Sequence, residues 1–242
     1  MKTLGIVARI GNFILSIVAG VLILSMSSYA AFSLWSNYIT DHRAFGTGML
    51  EFKPDGKDSL SFKELQAINP DCKAWITIDD TNIDYPVMQG EFDYEYLNKD
   101  AFGEYVLSGS IFMSTTNDEY FTDPYTLIYG HHMDNGAMFG DIDKFLVKSF
   151  FDSHKTGTLY LADESYELEV FASVSTDAYD PLFYSQASQH TRDLPALAGK
   201  MLDAAVCSEN VDIAPDDRII ALSTCADAVT NGRYILLCKI KP

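Results

Sequence analysis

The sequence predicts a mainly β fold with inserted helices, a closed or nearly closed β-barrel preceded by an N-terminal transmembrane helix. Three observations predict it. Short apolar runs separated by polar turns recur between residues 74 and 240, the pattern of many short strands in a barrel. Helical periodicity is confined to two or three stretches between those runs. No Asp, Glu, Lys or Arg occurs between Arg9 and Asp41.

Residues 10–31 read IGNFILSIVAGVLILSMSSYAA, and about 20 helical residues cross the ~30 Å hydrocarbon core of a bilayer. Lys2 and Arg9 precede this stretch, and Asp41 and His42 follow it. The positive-inside rule then puts the N-terminus in the cytoplasm and residues 40–242 outside the cell, a single-pass arrangement. Tyr29, Trp35 and Tyr38 fall near the outer interface. The competing reading is a cleaved signal peptide, with residues 13–26 as its apolar region and Ser28-Tyr29-Ala30 as a small-x-small cleavage site. The apolar stretch is long for that role, and both readings export the body. A buried core helix fits poorly, because nothing on the stretch is polar enough to form a wet face. The expected organisation is a membrane anchor over 1–35, a linker or short helix over 36–60 (with Gly46, Gly48, Pro54 and Gly56), and a catalytic domain over 61–242.

Residues 61–68 read as a short helix stopped by Asn69-Pro70. Strands follow at 74–78 (AWITI) and 83–89 (IDYPVMQ), around the polar turn DDTN, and then at 110–114 and 125–129. Met138, Ile142, Phe145, Leu146 and Phe150 recur at helical spacing, which predicts one amphipathic helix through MFGDIDKFLVKSFF. Strands return at 157–161 and 166–175, with Asp163-Glu164-Ser165 as a hairpin turn. Residues 193–207 predict a second helix, with Pro195 in its first turn. The last strands are 218–225 and 233–240.

Hydrophobic residues make 48% of the 242-residue chain and charged residues 21%, which excludes wholesale disorder and allows a sizeable core. With 17 basic against 34 acidic residues the net charge is −17. Such a body repels phosphate backbones and excludes nucleic acid as a natural partner. The cysteines are Cys72, Cys207, Cys225 and Cys238. Two disulfides are possible outside the cytoplasm, although the chain is no disulfide-dense scaffold.

Three places can carry chemistry. Cys225 ends the apolar run IIALSTC and is followed at once by polar residues, so the thiol falls at a strand end; a half-buried packing cysteine is the plain alternative. Tyr129-Gly130-His131-His132-Met133 delivers two imidazoles at another strand end. Metal binding is disfavoured there, because adjacent residues on a strand face opposite ways and no CxxC or HxxxH spacing supplies further ligands. Arg233 stands eight residues after Cys225 and opens the last strand. If those two strands pair, thiol and guanidinium meet at one end of the sheet. A thiol with a pKa near ~8.5 is largely protonated at neutral pH. A nearby imidazolium and guanidinium favour the thiolate, the imidazole can exchange protons with amines, and the guanidinium can hold an oxyanion. Such a set performs acyl transfer through a thioester.

These residues resemble a class B sortase, and the likeness extends beyond them. NPDCKAWITI (69–78), IDYPVMQ (83–89), EYLN (95–98), GSIFM (109–113), YGHHM (129–133), AMF (137–139) and RIIALSTC (218–225) resemble that family in order, covering roughly residues 60–240. The resemblance implies a sortase β-barrel and a membrane-anchored cysteine transpeptidase, or thiol peptidase, on a Gram-positive-type surface. Such enzymes cut a sorting motif near the C-terminus of a secreted protein and pass the acyl group to an amine of the cell-wall precursor. It implies Cys225 as nucleophile, His131 rather than His132 as general acid/base, and Arg233 as oxyanion and substrate clamp. The backbone N–H of Ala226 would be the second oxyanion donor. Leu97, Ser223, Leu182 and Phe183 would line the groove, and no metal or cofactor is expected. Ala221 replaces the usual Thr of TLSTC, and Ala226 stands where some relatives carry an acid, which bears on substrate preference. Cys207 and Cys238 lie in apolar contexts that suit packing. An L,D-transpeptidase-like enzyme would place its Arg almost immediately after the Cys. A non-enzymatic anchored ectodomain would make the order of these groups a coincidence. Wall anchoring and pilin polymerisation, in which the acceptor is a Lys of another pilin, are not separated by sequence.

Overall fold

The computed structural model describes residues 2–45, 48–54, 60–225 and 231–241. The chain forms two compact units, Met1–Thr40 and Asp41–Pro242. The first is most of helix α1 (Lys2–Ala44), in which Arg9–His42 is long and apolar enough to cross a membrane. The helix runs past residue 35 because no Gly or Pro interrupts the chain between Gly20 and Gly46. A 3₁₀ turn, Leu50–Phe52, falls within the expected linker.

In the second unit α2 (Leu60–Ile68) leads into β1 (Cys72–Ile78), β2 (Asp84–Met88), β3 (Ile111–Met113) and β4 (Tyr125–Tyr129). Then come α3 (Lys148–Ser153), β5 (Thr156–Tyr160), β6 (Ser165–Asp177), and three helices: α4 (Pro181–Tyr184), α5 (Gln186–Gln189) and α6 (Leu194–Asp203). The last strands are β7 (Ala205–Ser208), β8 (Arg218–Cys225) and β9 (Gly232–Ile240). Eight strands close a ring in the order β1-β2-β3-β4-β8-β9-β6-β5, and β7 is added outside on β6. The pairs β2–β3 and β4–β8 are parallel and the rest are antiparallel.

Strand alternation sorts the side chains. Ile220 and Leu222 of β8 and Leu236 and Cys238 of β9 face the barrel interior, where every ring strand contributes to one core. Their neighbours Ile219, Ala221, Ile235 and Leu237 face outward and are covered by Phe183, Leu194, Leu197 and Met201 from α4 and α6. A third cluster, with Phe62, Leu65, Trp75 and Phe112, sits under α2 on another outer face.

Two predicted helices differ. The stretch 138–151 divides into a 3₁₀ segment, Gly140–Leu146, and α3, with Val147 extended between them. Tertiary ties break the α repeat: the Asp141 carboxylate accepts from the Asn82 N–H at 2.8 Å, and the Phe145 carbonyl accepts from Ser173 Oγ at 2.8 Å. The buried Ile142 and Phe145 are three residues apart, which suits the 3₁₀ period. The stretch 193–207 keeps its start, where Asp193 caps α6 by accepting from Ala196 N–H at 3.1 Å. It gives up its end to β7, which pairs Cys207 with Ser173. The short helices α4 and α5 and the 3₁₀ turn Glu95–Asn98 carry too few residues for a periodic signal. Cys72, Cys207 and Cys238 are free and buried.

Candidate active site

Three adjacent strands bring the sequence-singled residues to one rim. The strands β4 and β8 run parallel, with Tyr129 opposite Ser223. Both end toward the same side, so His131 and Cys225 each follow that pair by two residues. Gly130 N–H donates to the Ser223 carbonyl at 3.1 Å and keeps the two chain ends together. Antiparallel β9 starts at the rim where β8 stops, and its Arg233 is the direct pairing partner of Cys225. Ala226 lies outside the described residues.

Gly130 is required by space. A Cβ there would stand 2.4 Å from Ile111 Cδ1 and 2.7 Å from Phe139 Cδ2. A side chain there would force this packing to shift, and His131 follows at once. The His131 ring Nε2 lies 2.8 Å from the Leu97 carbonyl oxygen. A carbonyl only accepts, so Nε2 carries the proton and Nδ1 is the nitrogen left to exchange one. His132 differs. Its ring Nε2 lies 3.8 Å from the Asp134 carboxylate, and its Nδ1 is buried without a hydrogen-bond partner. Of the two adjacent histidines, His131 lines a cleft whose described lining does not include His132.

That cleft holds about 380 Å³ and lies on the outer face of the barrel. Its floor crosses four neighbouring strands: Phe112 of β3, Tyr129 of β4, Ser223 and Thr224 of β8, and Arg233 of β9. One wall is the β2–β3 connection, with Asp93, Tyr94 and Leu97. The other is the connection after β6, with Ala178, Tyr179 and Tyr184. Arg233 Nη1 donates to the Gly232 carbonyl at 2.8 Å and makes no ion pair with a described residue, which leaves its charge for a ligand. Burial pushes the Tyr129 hydroxyl well above the usual phenol range, Asp93 pushes it further, and Arg233 draws it down. The phenol is therefore a neutral donor across the working pH range.

Leu97 and Ser223 both line this cleft. Ser223 is buried, and its Oγ shares a 2.8 Å hydrogen bond with the Tyr184 hydroxyl. Leu182 and Phe183 are placed otherwise. Phe183 is fully buried in the outer cluster beneath α6, and Leu182 packs against that cluster. Neither lines the cleft. The residue of this helix that lines the cleft is the next one, Tyr184, because the one-turn α4, capped by Asp180 through Leu182 N–H at 2.9 Å, turns position 183 inward. Sequence reasoning also missed Asp93, Tyr94 and Tyr129. Tyr94 holds a left-handed backbone, φ 72°, uncommon for a bulky residue. Among the described residues no group of three or more His, Cys, Asp or Glu side chains is placed to hold a metal ion.

Residues 76–241 match the sortase-domain family. The chain is 38% identical over 190 residues to sortase B of Listeria monocytogenes, covering 77% of this chain and 76% of that protein. It is 32% identical over 181 residues to sortase B of Staphylococcus aureus, covering 74% of each. Among solved structures, a class B sortase of Streptococcus pyogenes involved in pilus biogenesis is similar with a TM-score of 0.70 at 38% identity, covering 76% of this chain and all of that one.

Proposed function

The chain belongs to the class B branch of the sortase family of cysteine transpeptidases, and from that premise we propose that Cys225, His131 and Arg233 are its catalytic groups. The single observation that carries the proposal is the register. Parallel β4 and β8 end together and antiparallel β9 begins there, with Cys225 paired to Arg233 and Gly130 tied to Ser223.

In the first half-reaction the Cys225 thiolate attacks the carbonyl carbon of the scissile peptide bond in a sorting motif near the C-terminus of a secreted protein. The C=O electron pair moves onto oxygen, where Arg233 and the Ala226 N–H stabilise it. The oxyanion collapses, the C–N bond breaks, and His131 as imidazolium protonates the departing amine. A thioester and neutral His131 remain. In the second half-reaction an acceptor amine attacks the thioester, neutral His131 takes its proton, and the Cys225 thiolate leaves as the new amide forms. With water as acceptor the same device is a thiol peptidase. Leu97, Ser223 and Tyr184 hold the motif.

The apolar part of α1 supports a membrane-anchored enzyme with residues 1–35 as anchor and residues 36–60 as the link. The charges around it favour a cytoplasmic N-terminus and an extracellular catalytic domain, residues 61–242. The acceptor is an amine of the cell-wall precursor. Likeness to the pilus-associated enzyme of S. pyogenes favours a second reading, in which the acceptor is a Lys of a pilin. Incubating the full-length chain in detergent with a library of sorting peptides, with and without the two kinds of amine, tests both readings by mass spectrometry. An acyl adduct on Cys225 and amide products with one amine class are expected. An adduct elsewhere, or none with any peptide, overturns the assignment.

A further inference from the structure

The NPD stretch (69–71) and most of EYLN (95–98) have no part in the chemistry above, yet they converge on the carbonyl that holds His131. That carbonyl belongs to Leu97, in the 3₁₀ turn Glu95–Asn98, and its oxygen lies 2.8 Å from His131 Nε2. The residue before it, Tyr96, is buried. The Tyr96 hydroxyl donates to Asp71 Oδ2 at 2.7 Å and accepts from Asn69 Nδ2 at 2.9 Å. Both partners belong to the barrel frame. Asp71 immediately precedes β1, its carbonyl accepts from the Gln89 N–H at 2.8 Å just beyond β2, and its N–H donates to Asn69 Oδ1 at 3.1 Å. The turn is held from its other side by the chain entering β3, where the Ser110 N–H donates to the Tyr96 carbonyl at 3.0 Å. Gly109, in the left-handed region at φ 58°, brings that chain so close that a Cβ would stand 2.3 Å from the Leu97 oxygen. The described lining of the cleft includes Leu97 and not Tyr96.

We infer that Tyr96, braced by Asp71 and Asn69, is a positioning residue that keeps the Leu97 carbonyl on His131 and so fixes which ring nitrogen carries the proton. The inference deepens the transpeptidase reading and rests on it. Both half-reactions pass a proton through His131 Nδ1, which must hold a lone pair when the acceptor amine arrives. A carbonyl oxygen only accepts, so it matches the ring with its proton on Nε2 and repels the ring with a lone pair there. A neutral imidazole in water exchanges between the two tautomers, and a fixed acceptor removes the wrong one. A 3₁₀ turn of four residues has little rigidity of its own. The buried phenol supplies it by tying the turn to the frame of β1 and β2, in a chain of hydrogen bonds from Asn69 through Tyr96 to Asp71.

The test joins turnover to the state of the ring, with the full-length chain in detergent. Tyr96→Phe keeps the buried aromatic ring and removes the hydroxyl. Its kcat on a sorting peptide should fall by about tenfold, less than the ~100-fold cost of a 1 Å misplacement because the carbonyl loosens without leaving. KM should stay near the parent's. The nitrogen NMR spectrum of the histidine rings, taken at a pH where imidazole is neutral, should show the Nε2–H pattern for His131 in the parent and an average of both tautomers in Tyr96→Phe. The His131 signal is assigned by its loss in His131→Gln. Asp71→Asn keeps an acceptor for the phenol and should retain the parent's kcat and ring signal, whereas Asp71→Ala should match Tyr96→Phe; this pair reads the same device if Tyr96→Phe fails to fold. Parent kcat with an unchanged ring signal in Tyr96→Phe, a loss confined to KM, or a lowered kcat with the tautomer still fixed overturns the inference and leaves the transpeptidase reading standing. Equal losses in Asp71→Asn and Asp71→Ala do the same. A parent that cleaves no peptide brings down the transpeptidase reading, and the ring signals, which need no substrate, still decide whether Tyr96 fixes the tautomer.

Discussion

Replacing Gly130 by Ala tests whether close packing at the end of β4 positions His131. The added methyl carbon would meet Ile111 Cδ1 at 2.4 Å, Phe139 Cδ2 at 2.7 Å and Phe139 Cγ at 2.8 Å. Ordinary carbon contacts begin near ~3.5 Å, so the strand end or its neighbours must yield by about 1 Å. Ile111 and Phe139 are both buried in the barrel core, which leaves little slack. Over-packing of this kind costs about 1–3 kcal/mol. For a body of roughly 200 residues each kcal/mol lowers Tm by about 2–4 °C, so the drop should be about 2–12 °C. The same shift moves the His131 ring off the Leu97 carbonyl that now lies at 2.8 Å, and a 1 Å misplacement of a catalytic group costs on the order of 100-fold in rate. The assay pairs thermal unfolding with kcat/KM on a sorting peptide, using the full-length chain in detergent. Gly199→Ala in α6 is the control. Its Cβ would meet nothing within 4 Å, so stability should hold or rise by about 0.4–1 kcal/mol. A Gly130→Ala protein with unchanged Tm and turnover would refute the packing argument. A lowered Tm with full turnover would refute its link to His131.

Three further expectations concern charge and thiols. Cys72, Cys207 and Cys238 are buried, so the native protein should react rapidly with one equivalent of a thiol reagent at neutral pH and the denatured chain with four; Cys225→Ala should abolish the native reaction together with turnover. Rapid labelling of a second thiol, or turnover by Cys225→Ala, contradicts the assignment. Arg233→Lys should keep the fold, since Arg233 has its polar contact with the adjacent Gly232 carbonyl. It should nonetheless lose most of kcat, because an ammonium lacks the planar fork, and kinetics equal to the parent's remove Arg233 from the mechanism. Burial pushes the Cys72 thiol from 9.0 up to about 12 and the Tyr85 hydroxyl from 10.0 up to about 12. In the alkaline range the unfolded chain loses these protons first, so the folded state binds more protons and stability falls as pH rises. The contribution is intact below the unfolded values. Urea midpoints should therefore decline from about pH 8 to about pH 11, and less steeply in Cys72→Ala. A flat profile would contradict the burial of both groups.

The barrel strands were legible because an apolar run between polar turns is a local property. Residues 125–129 and 218–225 appear in the fold with the same limits, and β9 starts one residue before the expected 233. The helix expected over 138–151 was not, since the hydrogen bonds that divide it come from Asn82 and Ser173, far away in sequence. Likewise Phe183 and Tyr184 are both aromatic, and only the cap on α4 determines which one faces the cleft. Asp93 carried no signal, because an isolated acid in a polar loop resembles any solvated charge until Thr115 fixes it to the groove.

By itself the sequence determined an apolar N-terminal helix, a strand-rich body, and the order in which an imidazole, a thiol and a guanidinium occur along the chain. Each of these depends on residue type and short spacing, which act through backbone preference and burial between near neighbours. Only the tertiary structure decided that β4 and β8 lie side by side and parallel, that His131 rather than His132 enters the cleft, and that the groove wall ends in a carboxylate. Those outcomes depend on pairings and packing between segments tens of residues apart, whose free energy exists only once the barrel has closed.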